Sequence, residues 1–182
     1  MRKIFYDDMI LEQYEQTEQW GQCVSYLYKL AMDDLDNKNL WLRLAAQSWY
    51  TLTFWDCYMK KDNLDRNIFE TYLEKAYYKV FQDWWDDADC LWLFGYFMCI
   101  SPLDFSFLDK DMNDIELMGN DLISKAYSID STNPLAEVLF WADKRKKKHY
   151  IATKKELKNR IGDFFSDKSL VEQYFLEIFT GN

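Results

Sequence analysis

Four carboxylates surround two adjacent tryptophans in the run Asp83-Trp84-Trp85-Asp86-Asp87-Ala88-Asp89. Carboxylates at this density can ligate a hard cation, cap a helix, or line a surface that selects a basic partner. A helix-loop-helix calcium site needs a glycine turn and a terminal bidentate Glu, and the run has neither. Acids in the first turn of a following helix are favoured by its dipole, yet four of them beside two tryptophans exceed what one cap needs. Neighbouring side chains on a helix cannot share one buried direction, so one of Trp84 and Trp85 is expected at the surface. Asp83, Trp84, Trp85, Asp86, Asp87 and Asp89 are therefore candidate partner-binding residues, since an exposed aromatic in a charged rim is a common interface anchor.

A second stretch, 101–111, opens with Ser101-Pro102 and has no clear period, which predicts a long loop or a short 3₁₀ segment. Its acids Asp104, Asp109 and Asp111 join the candidate partner contacts. The inventory for catalysis is thin. The one histidine, His149, ends the lysine run 144–148 and is expected to be exposed rather than poised in a pocket. Gly21, Gly95, Gly119, Gly162 and Gly181 are isolated from one another, so no phosphate-cradling loop is formed. No catalytic residue, metal ligand or cofactor is assigned, and the chain is not expected to be an enzyme.

The elements that must position these residues are helices. Two prolines and five glycines in 182 residues leave too few breakers for a sandwich or barrel, while 49% apolar residues can supply a substantial core. The class predicted is all-α, a single domain of about eight or nine helices. Helices are expected over about 9–17, 21–35, 40–59 and 112–129, with an amphipathic helix carrying Phe69 to Val80, a buried one containing 90–100, another from Pro134 into the lysine run, and the run 60–63 ending the third. Short capping helices then close the chain over about 153–165 and 169–179. Asp7 or Asp8 can cap the first helix, and Asn133-Pro134 supplies an N-cap followed by proline at the first helical position. Every position of 90–100 is apolar, so that helix must be shielded on all sides. The run is nonetheless well short of the roughly 18 residues a membrane span requires. Cys23, Cys57, Cys90 and Cys99 lie in apolar helical patterns without short paired spacing, which reads as reduced core thiols in a cytoplasmic protein.

Charge is unevenly placed. The net charge is −9, but residues 144–182 carry ten Lys/Arg against five Asp/Glu, leaving 12 against 26 in the preceding body. A body at −14 and a tail at +5 repel nucleic acid and anionic membrane from the body and speed association with a basic partner. The run Lys144-Arg145-Lys146-Lys147-Lys148 reads as a solvated face at a helix end.

Three helices repeat a phrase: Leu27-Tyr28-Lys29-Leu30-Ala31, Leu73-Glu74-Lys75-Ala76-Tyr77 and Ile123-Ser124-Lys125-Ala126-Tyr127, at offsets of 46 and 50 residues. Each precedes a polar joint and a second apolar helix, which predicts three hairpins over about 20–60, 65–100 and 112–147. Through Ala31, Ala76 and Ala126, and through the restart Asn133-Pro134-Leu135-Ala136, residues 20–145 resemble the tetratricopeptide-repeat-like superfamily. The period exceeds the about 34 residues of that family. The resemblance implies a helical solenoid that binds protein. In character, being small, acidic, aromatic-rich and helical without catalytic apparatus, the chain also resembles the bacterial toxin immunity proteins, including those of contact-dependent growth inhibition. That resemblance implies one cognate partner, a basic nuclease-type toxin domain, held by an acidic surface, with no nucleic acid and no membrane as partner. A peptide-holding helical-repeat adaptor is the alternative.

Overall fold

Nine α-helices and no strand are found among residues 3–59 and 64–181, which a computed structural model describes. They are α1 (Met9–Gln16), α2 (Trp20–Asp33), α3 (Lys38–Thr53), α4 (Arg66–Asp83), α5 (Ala88–Ile100), α6 (Met112–Ile129), α7 (Pro134–Asp143), α8 (Lys147–Lys158) and α9 (Leu170–Thr180). Local chemistry sets most of the starts. Asp8, Asp65, Asp87, Asp111, Asn133 and Ser169 are N-caps whose side chains accept backbone N–H groups of the first turn. The segment after α5 is a 3₁₀ turn, Pro102–Leu108, kinked at Phe105. Asp109 then takes a left-handed conformation that redirects the chain into α6.

Some boundaries differ from the sequence reading. The third helix ends as α-helix at Thr53 and continues as a π turn, Trp55–Met59, a register change that leaves Cys57 exposed rather than in the core. The stop expected at 60–63 lies outside the described residues. Helix α8 begins inside the lysine run and ends near Lys158, followed by a short 3₁₀ turn, Ile161–Asp163, so no helix spans 153–165.

Three hairpins, α2/α3, α4/α5 and α6/α7, stand side by side. The tightest neighbours lie between successive hairpins, α3 with α4 and α5 with α6. Between α5 and α6 the approach is set by glycine: a Cβ on Gly95 would lie 2.7 Å from the Gly119 carbonyl oxygen, and one on Gly119 equally close to that of Gly95. Within the second hairpin, α4 and α5 are instead spaced by rings, with Phe94 against Tyr77 and Phe81.

The all-round apolar α5 is buried from Ala88 to Met98. Neighbouring hairpins supply only part of that cover. The final helix does not cap the end of the array but turns back across the open face of α3 and α5. Phe175 and Phe179 meet Trp92 with ring centroids 5.9 Å apart, Tyr174 meets Trp49 at 5.7 Å, and the Tyr96 and Tyr174 hydroxyls are 2.6 Å apart. The N-terminal segment lies on the same seam, with Phe5 against Phe165 and Phe175.

Candidate functional site: the elbow end of the array

The three joints between hairpin helices are copies of one elbow. In each, a C-cap residue (Asp34, Trp84, Asp130) donates its N–H to the carbonyl four residues back, two turn residues follow, and the N-cap residue (Asn37, Asp87, Asn133) donates its N–H to the C-cap carbonyl. The N-caps at 37, 87 and 133 are separated by 50 and 46 residues, the reverse of the phrase offsets. The phrase in α4 therefore sits one helical turn further from its elbow than those in α2 and α6.

The elbows lie together at one end of the array and are tied by a polar ladder. Lys38, at the start of α3, reaches Asp87 at 2.7 Å and Asp89 at 3.8 Å. Asp89, only 3% exposed, accepts from Trp92 Nε1 at 3.3 Å and from Asn133 Nδ2 at 2.8 Å. Asn133 meanwhile caps α7 through its side-chain oxygen. Lys125 of α6 donates to the Trp85 carbonyl at 3.1 Å and places its ammonium 4.4 Å from the centroid of the Trp85 ring.

This arrangement divides the acidic cluster. Asp87 is a cap and an ion-pair partner: burial alone would raise its carboxyl, but Lys38 and the N–H groups of Cys90 and Asp89 hold it below the usual carboxylate range. Asp89 joins the second hairpin to the third. Asp83 is exposed and paired with Lys79 one turn earlier. Trp84 is half-buried beneath Lys79. Asp86 and Trp85 face solvent, Trp85 with 56% of its surface open, so the expected exposed tryptophan is Trp85.

The stretch Ser101–Asp111 is brought to the opposite end. Helix α5 spans 13 residues, about 20 Å at 1.5 Å per residue, and separates Asp104, Asp109 and Asp111 from the elbows. Asp104 is buried against Arg66 at 3.3 Å and near Thr53. Burial pushes its carboxyl up to about 6 despite the opposing guanidinium. Asp111 caps α6, and Asp109 is exposed on the left-handed turn. The nine candidates thus form two groups, not one surface.

Sequence reasoning missed the first elbow. Asp33, Asp34 and Asp36 are exposed there, with Met32 and Leu35 about half open. With Asp83, Trp85 and Asp86 they form an acidic rim around apolar anchors. An x-x-x-Asx spacing, Asp34 to Asn37, Trp84 to Asp87 and Asp130 to Asn133, would have aligned the three elbows. Among the described residues no group of three His, Cys, Asp or Glu side chains is placed to hold a metal ion, and no single helix is long and apolar enough to cross a membrane. His149 is exposed and stacks on Trp141 at 4.7 Å. No family model, curated protein or solved structure matches the chain.

Proposed function

We propose that this chain is a cytoplasmic immunity protein of the contact-dependent growth inhibition class, built as a tetratricopeptide-repeat-like array, which binds and neutralises one cognate basic toxin domain through its elbow end. The observation that carries the reading is the outward row of the first two elbows. Leu35 and Trp85 are exposed between Asp33, Asp34, Asp36, Asp83 and Asp86 on backbone that the Lys38, Asp87, Asp89 and Asn133 ladder holds fixed. A preorganised rim loses little conformational entropy on binding, and its like-signed charges steer a cationic surface at long range. A nuclease toxin, which must attract nucleic acid, supplies such a cationic surface.

The test is co-expression with the C-terminal domain of the protein encoded immediately upstream of the gene for this chain. Growth should be rescued, and the two chains should purify as one complex. Reversing Asp36, Asp83 and Asp86 to Lys together should slow association on the order of tenfold at low salt and flatten its salt dependence. Absence of rescue rejects immunity. Rescue with unchanged kinetics moves the interface off the elbows. Capture of several unrelated peptides, with no dependence on elbow charge, would favour the adaptor.

A further inference from the structure

The seam on the other side of α3 contains a charge arrangement that fold and elbows leave unexplained. Arg43 is fully buried on α3 and is paired with Glu15 of α1 at 2.6 Å. The second oxygen of Glu15 accepts the Leu170 N–H at the start of α9 at 2.8 Å. Glu172, on the first turn of α9 and also fully buried, accepts from Ser166. Asp7 comes in from the N-terminal strap beside Arg43 and Glu172, with Glu12 and Glu15 close behind. One guanidinium therefore serves two carboxylates, Glu15 in contact and Asp7 within electrostatic reach, while Asp7 also feels Glu172. Asp7 Oδ1, Glu172 Oε1 and Arg43 Nε and Nη1 are shut off from solvent without a hydrogen-bond partner. Buried acceptors without donors destabilise the state that holds them, and ionised neighbours add repulsion.

The strap is held by Ile4 and Phe5, each 1% exposed, and by few hydrogen bonds. Ile4 N donates to Phe164 O at 3.4 Å, Tyr6 N to Asn39 O at 3.2 Å, and Asn39 Nδ2 to the Lys3 carbonyl at 3.2 Å. Phe5 fills the gap between Phe165 and Phe175. The remaining ionisable groups around the site are already engaged or apolar in effect. Asp8 accepts from Tyr6 and Tyr26 and caps α1, Glu12 faces Lys168 at 3.5 Å, and Cys23 of α2 is a buried thiol.

We infer that the strap at residues 4–8 is a proton-dependent latch, closed over α3 and α9 when the Asp7 carboxyl carries a proton and loosened when it is ionised in a buried position that offers its Oδ1 no donor. Burial, opposed by Arg43 and to a smaller extent reinforced by Glu172, pushes the Asp7 carboxyl up to about 6. A carboxyl whose folded value is raised contributes stability that is present below its ordinary value near 3.8 and is lost as pH rises through about 6. The latch is therefore tightest in acid and weakest above neutrality. Its opening exposes the ring seam of Phe165 and Phe175.

Hydrogen exchange of the Ile4, Phe5 and Tyr6 amides, followed from pH 4.5 to 7.5 on the full chain, reads the latch. After correction for the intrinsic rate, the opening equilibrium should rise about 25-fold across this window, as follows from a carboxyl at about 6 when closed and near 3.8 when open. Asp7→Asn should abolish this rise. Glu172→Gln should keep it but move its midpoint to lower pH. A rise that persists in Asp7→Asn, or a midpoint that Glu172→Gln leaves in place, overturns the latch. Thermal unfolding of each variant separates strap opening from global loss of structure.

Discussion

The elbow ladder and the strap seam use the same residue types, carboxylates against one cation with amide groups nearby, and reach opposite states. At the elbows each carboxylate meets its donors: Asp87 takes Lys38 and two backbone N–H groups, and Asp89 takes Trp92 and Asn133. At the seam, Arg43 is outnumbered, and polar atoms of Asp7, Arg43 and Glu172 go without partners. A satisfied polar network fixes one alignment of the three hairpins, whereas an under-satisfied one is a place where the fold can yield. The half of the molecule proposed to meet a partner is thus the half whose backbone is most firmly specified.

The largest test of this contrast is Arg43→Met. Removing the guanidinium leaves Glu15 buried without its counter-charge and should lower unfolding stability by about 3–5 kcal/mol in urea titrations at neutral pH. A loss below about 1 kcal/mol would mean that the seam carries no net ionic constraint. Next is Asp89→Ala at the ladder, expected to cost about 2–3 kcal/mol because the Trp92 and Asn133 donors are stranded in the core. Gly119→Ala tests packing alone. Its Cβ meets the Gly95 carbonyl, and the helices must separate at a cost of about 2 kcal/mol.

The two regions should also answer pH in opposite senses. The depressed Asp87 carboxyl contributes stability that is present above its ordinary value of 3.8 and is lost as pH falls through the lower folded value. Asp87→Asn should therefore remove part of the acid limb of a stability profile. At the seam Asp7, raised to about 6, acts in the other direction, and so does Asp104 at the far end of α5, so Asp104→Asn should flatten part of any decline between pH 5 and 7. Smallest is Asp86→Lys. That side chain is exposed, so stability should stay within about 0.5 kcal/mol while association with a basic partner slows.

Much of the helical frame was legible in the sequence. The Asn133-Pro134 restart and the helix over 112–129 are found as expected, because cap chemistry and apolar period are local signals. The acidic cluster was legible as a location but not as a set of roles. Asp86 and Asp89 are three residues apart and of one chemical type, and only the packing of α3 and α7 against α5 makes one a solvent-facing charge and the other a buried acceptor. Glu15 shows the same limit. It lies on a weakly patterned first helix, and its role depends on an arginine 28 residues away.

The sequence determined the all-α class, the Asn133-Pro134 restart of the last hairpin, and the separation of an acidic body from a basic tail. These follow from spacing, cap chemistry and charge count, each readable within a turn or two of helix. Only the tertiary structure decided that the elbows align at one end, that Asp104 to Asp111 lie at the other, and that α9 returns across α3 and α5 instead of extending the array. Those outcomes come from long-range pairings, Lys38 with Asp87, Gly95 with Gly119 and Trp92 with Phe175. Their energies exist only once distant segments have met.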